Sequence, residues 1–325
     1  MRKSSSFLLC FLFQFSLFAR QPVELGLVHW SRDLKKSQEL SKQNKKPIFI
    51  LFQEVPGCST CQRYGHDVMS HPLIVEAIEY YFNPVCIYNN EAGKDREALE
   101  YFKEPSWNNP VVRIVDSELN SIGERLHSNY SPFAVVNKIN LSILRSGKLI
   151  PEYLRLLEEE LLAGEQGKET ITVGMYCFWS GEKVYGAIDG VVSTQAGFMG
   201  GSEVVQIHYN PKKTTADEIV ARGSQQNCAD RVFLQKHQNI QAKITSKEIS
   251  TFKADHQIKY YLQQSTLRFV PMTEIQAARV NSALAQGKSA EHFLSPNQLN
   301  CWKQKKSVEN FIGKNIYTGS KELLP

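Results

Sequence analysis

Cysteine is sparse in this chain, with seven in 325 residues. A small fold stapled by disulfides needs them far denser, so the thiols read as reactive groups rather than as struts. Methionine is scarcer still, at five, and the eight histidines are scattered. A non-enzymatic periplasmic copper or zinc binder built from Cys, His and Met is the alternative that this scarcity argues against. No basic stripe is interleaved with aromatics, and the net charge of +5 is spread along the chain. Nucleic acid is therefore not an expected partner. After residue 18 no apolar run is long enough to cross a bilayer. With 42% apolar and 22% charged residues, the length suits two domains with real cores.

The chain opens with Arg2 and Lys3, then an apolar stretch over residues 7–18, then Ala19 at a small-residue cleavage pattern. Residues 1–19 read as a secretory signal peptide, with a retained membrane anchor as the alternative. The expected location is periplasmic or secreted. Cys58, Cys61, Cys86, Cys177, Cys228 and Cys301 would then meet an oxidising compartment.

Residues 46–52, KPIFILF, are a buried-strand run that leads into VPGCSTC at 55–61. A helical stretch follows, apolar at Val68, Leu73, Ile74, Ala77, Ile78 and Phe82. Residues 84–88 and 111–115 read as strands, the latter preceded by Trp107-Asn108-Asn109-Pro110; residues 135–144 and 151–162 read as closing helices. A cysteine at a helix head faces unpaired backbone N–H groups, which favour thiolate. Cys58 should attack first, and the more buried Cys61 should resolve the mixed disulfide. No second pair of ligands at zinc-site spacing follows, so no metal is assigned. The order strand, Cys-x-x-Cys, helix, then proline before a strand resembles the thioredoxin-like family over roughly residues 25–145. It is similar to a branch with Val-Pro-Gly-Cys loops, some carrying selenocysteine at the first position, that is also found fused to reductase-A-like domains. Ser59-Thr60 between the cysteines is less usual there than Gly-Pro. The resemblance implies that Pro110 is a cis-proline facing the pair and lining a peptide-binding groove.

Residues 164–169, GEQGKE, are polar and read as a linker. In TVGMYCFWSGEKVYGAIDGVVSTQAGFMGG, residues 172–201, Cys177 stands between an apolar strand run and a helical run. Phe178 and Trp179 can hold an apolar group, and Glu182 can hold or deliver a proton. Residues 171–175 and 204–209 read as strands, 181–189 and 215–221 as helices, and Thr273 with Gln276 as a capping box. The segment resembles the active-site region of peptide-methionine sulfoxide reductase A, with its Gly-Cys-Phe-Trp-Gly-x-Glu signature. The likeness continues through 190–201 and 203–211. It implies that Cys177 attacks a sulfoxide sulfur, that Phe178 and Trp179 enclose the substrate methyl, and that Glu182 protonates the leaving oxygen. A second thiol then condenses with the Cys177 sulfenic acid. Cys228, in the polar loop 224–230, is chosen for that step over Cys301, which lies beside Trp302.

The departures from the family pattern are specific. Tyr176 and Ser180 replace glycines. Gly201-Ser202-Glu203 joins two motifs where a longer loop carries a tyrosine and a Thr-Gly-His turn, and a Gln-Tyr-Arg-Ser stretch is missing. Tyr185, Phe198 or Tyr209 could supply substrate grip instead. Residues 254–262 resemble the family's acidic/His-Gln/Tyr-Tyr-Leu segment, with no role assigned to His256.

The expected architecture is an α/β thioredoxin-like domain over 20–163, a linker over 164–169, and an α+β reductase-A-like domain over 170–325. The second domain should be two-layered, with a mixed sheet, helices and a helical tail. The expected activity is reduction of methionine (S)-sulfoxide, free or in proteins, with Cys58 and Cys61 recycling Cys177 at the millimolar effective concentration usual for tethered partners. The partners are then methionine sulfoxide or oxidised proteins and an upstream thiol reductant. No cofactor beyond that dithiol donor is expected. The second enzymatic reading is a thiol–disulfide oxidoreductase whose reductase-like domain only binds substrate.

Overall fold

A computed structural model describes residues 21–236 and 238–304. The leader-like segment 1–19, with Cys10, lies outside these residues. Among the described residues no helix is long and apolar enough to cross a membrane.

The first half of the chain is organised by β1 (Ile48–Gln53), which lies between a parallel neighbour, β2 (Asn83–Tyr88), and an antiparallel one, β3 (Val111–Val115). Every residue of β1 is buried. A strand covered on both faces is apolar throughout rather than alternating, as the run at 46–52 suggested. The helices α1 (Leu34–Asn44), α2 (Ser59–Asp67), α3 (Pro72–Tyr81), α4 (Lys94–Phe102), α5 (Pro132–Arg145) and α6 (Glu152–Gln166) supply the covering layers. Phe49 and Leu51 point into one core with Leu73, Ile139 and Leu157. Ile48, Ile50 and Phe52 point into the other, with Leu99 and Phe102 of α4. The stretch after Cys61 is two helices, because the chain turns at residues 68–71 and Pro72 takes the first position of α3. Beyond β3, residues 121–126 return along its edge with isolated bridges Val115–Ser121 and Val112–Leu126.

The second half is a six-stranded mixed sheet. It contains β4 (Glu169–Met175), β5 (Val191–Met199), β6 (Ser202–Tyr209), β7 (Arg231–Leu234), β8 (Thr245–Glu248) and β9 (Lys253–Ala254), in the order β8-β7-β4-β6-β5-β9. Only β7–β8 is parallel. The helices α7 (Phe178–Tyr185), α8 (Ala216–Gln225), α9 (Tyr260–Gln263), α10 (Glu274–Ala285) and α11 (Pro296–Lys303) complete it. The fold is thus α/β followed by α+β. The junction Gly200-Gly201, where the resembled family carries a longer loop, is a two-residue hairpin between β5 and β6. Both glycines have positive φ, +55° and +76°, as a primed hairpin turn demands.

The two halves meet through α6. Buried Glu159 accepts the Gly190 N–H at 3.0 Å and pairs with Arg279 of α10 at 3.4 Å. Glu76 of α3 accepts the Ser295 hydroxyl at 2.6 Å and the Asn297 N–H at 2.7 Å, so α11 reaches back onto the first half. The polar stretch read as a linker is largely absorbed. Helix α6 runs to Gln166 and β4 begins at Glu169, because Gly164 sits on an open helix surface where it costs only propensity.

Candidate active site

Cys58 is the N-cap of α2, in extended conformation. The N–H groups of Cys61 and Thr60 hold its thiol below the ordinary value, with burial opposing. Cys61 lies one turn on and is fully buried. Burial, first among the causes, pushes its thiol up to about 12. The two sulfurs are 3.8 Å apart, and the Cys61 thiol donates to Asn109 Oδ1 at 2.9 Å. The Asn109–Pro110 peptide is cis and Pro110 is buried, so the loop before β3 faces the pair through Asn109. Gly57 is required here. A Cβ on it would lie 2.3 Å from the Glu54 carbonyl oxygen and 2.6 Å from Cys61 Cβ. The Glu54 carboxylate stands with the two sulfurs, all within 4.8 Å of one another. Cys86 lies buried in β2, where burial pushes its thiol up; it belongs to the core.

Cys177 follows β4 and is the N-cap of α7, again extended and half-buried. Its aromatic neighbours form one cluster. Phe178 is buried and meets Trp179 edge-on at 6.0 Å and Phe198 edge-on at 5.6 Å. Trp179 is 41% exposed and stacks on Tyr260, with centroids 4.1 Å apart and planes 17° from parallel. Tyr176, the residue replacing glycine, projects into solvent at 96% exposure.

Two carboxylates compete for the acid's place. Glu182 is buried, and its Oε1 lies 2.5 Å from Lys259 Nζ and 3.3 Å from the Thr194 hydroxyl that donates to it. Lys259 also donates to the Thr194 carbonyl. This pair lines a cleft of about 240 Å³ walled by Trp179 and Tyr260, with Gln195 and Asp255 alongside; Cys177 is not among its lining residues. Glu203 stands at the sulfur's end. The β4–β6 register sets it opposite Met175, and its Oε2 accepts the Phe178 N–H at 2.8 Å. Phe178 follows Cys177, so this carboxylate sits on the peptide next to the cysteine. The sequence reading gave the acid role to Glu182 and none to Glu203. The structure engages Glu182 with a lysine and sets Glu203 at the head of α7.

Cys228 is buried, and burial pushes its thiol up. Gly174 pairs with Arg231 across β4 and β7. The Asp230 N–H also donates to the Gly174 carbonyl at 3.0 Å, so Cys228 lies in the loop that leads into β7, at the same end of the sheet as Cys177. Cys301, on α11, is half-buried, and its neighbour Trp302 donates to Thr266. Of the three residues considered for substrate grip, only Phe198 reaches the site. Tyr185, the last residue of α7, is buried and donates to the Cys228 carbonyl at 3.4 Å. Tyr209 bonds Glu169 at the other end of β4.

By fold and site this is a molecule with two thiol centres, one a Cys-x-x-Cys pair and one a helix-capping cysteine walled by aromatics. Residues 29–117 match the family model described as thioredoxin-like. The chain is also similar to the peptide methionine sulfoxide reductase MsrA of Corynebacterium efficiens, 34% identical over 76 residues, covering 18% of this chain and 35% of that protein. It is similar to the MsrA of Methanococcus maripaludis, 41% identical over 69 residues, covering 16% of this chain and 44% of that protein. The chain thus spans between about a third and a half of the length of these curated relatives. A solved structure titled DsbH Oxidoreductase is 18% identical, with a TM-score of 0.32, covering 39% of this chain and 92% of that one. One chain carries both the thioredoxin-like and the MsrA-like resemblance.

Proposed function

We propose that this protein is a thiol-dependent oxidoreductase that reduces methionine sulfoxide at Cys177 and is recharged through Cys58 and Cys61. The observation that carries the reading is the head of α7. There a half-buried cysteine, an aromatic wall and a carboxylate on the adjacent N–H converge.

The sulfoxide sulfur carries its methyl group into the Phe178–Trp179 wall, where apolar burial holds it. Cys177 attacks as thiolate, and Glu203 supplies a proton to the oxygen as the S–O bond weakens. The thioether leaves, and Cys177 keeps the oxygen as sulfenic acid. A second thiol, Cys228 in this reading, condenses with it, giving a disulfide and water. Cys58 attacks that disulfide, Cys61 closes on Cys58, and an external dithiol reduces the pair. In sum, a sulfoxide and two thiols become a thioether, a disulfide and water.

Cys228 needs its loop to open before it can reach Cys177, because it is buried. An exported location, periplasmic or secreted, fits the leader-like residues 1–19 and belongs to the same proposal.

The test is reduction of separate R and S methionine sulfoxide epimers by the pre-reduced full chain with no added reductant. The expected result is about two thioethers per chain from the S epimer alone, one from the Cys177 and Cys228 thiols and one after Cys58 and Cys61 recharge them. Exchange activity on disulfides with no thioether from either epimer overturns the reading and leaves a thiol–disulfide oxidoreductase.

A further inference from the structure

We propose that Glu54, Cys58 and Cys61 form a binding site for a zinc-type divalent cation, open only while the dithiol is reduced. The sequence held half of a zinc site and no second half; the fold supplies a third donor. The end of β1 and the head of α2 turn back on each other at Gly57, and this brings the Glu54 carboxylate to both sulfurs, within 4.8 Å.

The spacing suits the ion. Two thiolates on one tetrahedral zinc, at about 2.3 Å each, lie roughly 3.8 Å apart. The two sulfurs here are already at 3.8 Å. A carboxylate oxygen at about 2.0–2.2 Å from the same ion needs only a small side-chain adjustment from where Glu54 stands. Among the described residues no hydrogen bond or ion pair is made by the Glu54 carboxylate, and the nearby Gly57 N–H is taken by Glu24 instead. The Glu54 carboxylate is therefore free to turn toward an ion. Cys58 is exposed and Glu54 half-buried, which gives an entry path and leaves the fourth position for water. Three protein ligands and an open fourth position are the pattern of an accessible zinc site rather than a sealed structural one.

The set also discriminates between metals. A soft monovalent ion such as Cu(I) is satisfied by the two sulfurs, whereas a zinc-type ion also uses the carboxylate oxygen. Metal and disulfide exclude each other because both use the same two sulfurs. An ion seated here holds the pair reduced and out of the exchange relay. Seating it displaces the thiol protons, so affinity rises with pH.

Co²⁺ is the probe, titrated into the pre-reduced full-length chain carrying Cys177→Ser and Cys301→Ser, which removes the two half-buried thiols of the described residues. The expected result is one Co²⁺ per chain, with sulfur-to-cobalt charge-transfer absorption and the intense visible bands of tetrahedral cobalt. Zn²⁺ should displace it. Both signals should vanish when Cys58 and Cys61 are oxidised to the disulfide, and in Cys58→Ser. Glu54→Gln should weaken binding by about tenfold or more, at least the loss seen when a metal's supporting partner is removed. Glu54→His, which restores a ligand atom, should recover it. Circular dichroism and a thiol count on each variant verify that fold and dithiol are intact. Unchanged affinity in Glu54→Gln, or cobalt bands that persist in Cys58→Ser, overturns the site.

Discussion

Cys58 and Cys177 each cap a helix in extended conformation, yet the two helix heads are used differently. At α2 the first N–H groups turn toward the sulfur and hold the Cys58 thiol low. Its partner waits 3.8 Å away, protonated by burial. At α7 the first N–H is taken by the Glu203 carboxylate, and Cys228, the thiol proposed as its partner, is buried. The first arrangement suits exchange between sulfurs, which needs a nucleophile and a nearby resolver but no acid. The second suits removal of an oxygen atom, which needs a proton donor beside the nucleophile. A helix N-terminus can favour a thiolate or anchor a carboxylate, and this chain does one at each centre.

The largest expected effect comes from Cys177→Ser. Single-turnover sulfoxide reduction should fall to the uncatalysed background, while reduction of a small disulfide by Cys58 and Cys61 continues unchanged. Loss of both activities, or of neither, would erase the distinction between the centres.

The two carboxylates sharpen it next. Glu203→Gln should lower the single-turnover rate by about two to four powers of ten, the usual worth of a positioned acid, with little change in Tm. Glu182→Gln should act mainly on stability. It leaves the Lys259 ammonium, still held by the Thr194 oxygens, without its counter-charge, and losing a hydrogen bond to a charged group costs about 1.5–3 kcal/mol, read as a lower urea midpoint. If Glu182→Gln instead lowers the rate while Glu203→Gln does not, the acid is Glu182.

Cys58→Ser should leave the first turnover intact and cap the yield at about one thioether per chain with a dithiol relay as donor. Sustained turnover in that variant would show that the first centre does not serve the second.

The smallest effect is on pH dependence. Cys58, held low, should be alkylated well before Cys61 as pH rises, by mass-spectrometric mapping of the labelled cysteines. Cys61 also affects stability. Its folded value is about 12 against an ordinary 9.0, so between these the folded chain keeps a proton that the unfolded chain has lost. Stability is full below pH 9 and falls as pH rises toward 12. Cys61→Ala should flatten that slope in urea titrations.

Some of this was legible in the residues. The run at 46–52 is apolar without alternation, which only a doubly covered strand needs, and β1 is such a strand. The Cys-x-x-Cys pair and Cys177-Phe178-Trp179 are local: nearest-neighbour order places each sulfur at a helix head. The α7 start was misplaced by three residues because Ser180-Gly181 reads as a turn. Glu203 was passed over for a clearer reason. In an edge-like run such as SEVVQIHY an acidic residue looks like solvent-facing alternation, whereas Glu182 stood in a recognisable motif.

The sequence by itself determined which cysteines follow strand-like runs and which strands are buried, because these follow from local chemistry and periodicity. Only the tertiary structure decided which groups lie around the two thiol centres. The β4–β6 register brings Glu203 to the Phe178 N–H. The segment after β9 lays Tyr260 on Trp179 and pairs Lys259 with Glu182. The turn at Gly57 sets Glu54 against Cys58 and Cys61. Each contact depends on strand register or backbone reversal, and register is fixed by packing over the whole sheet rather than by any short stretch of chain.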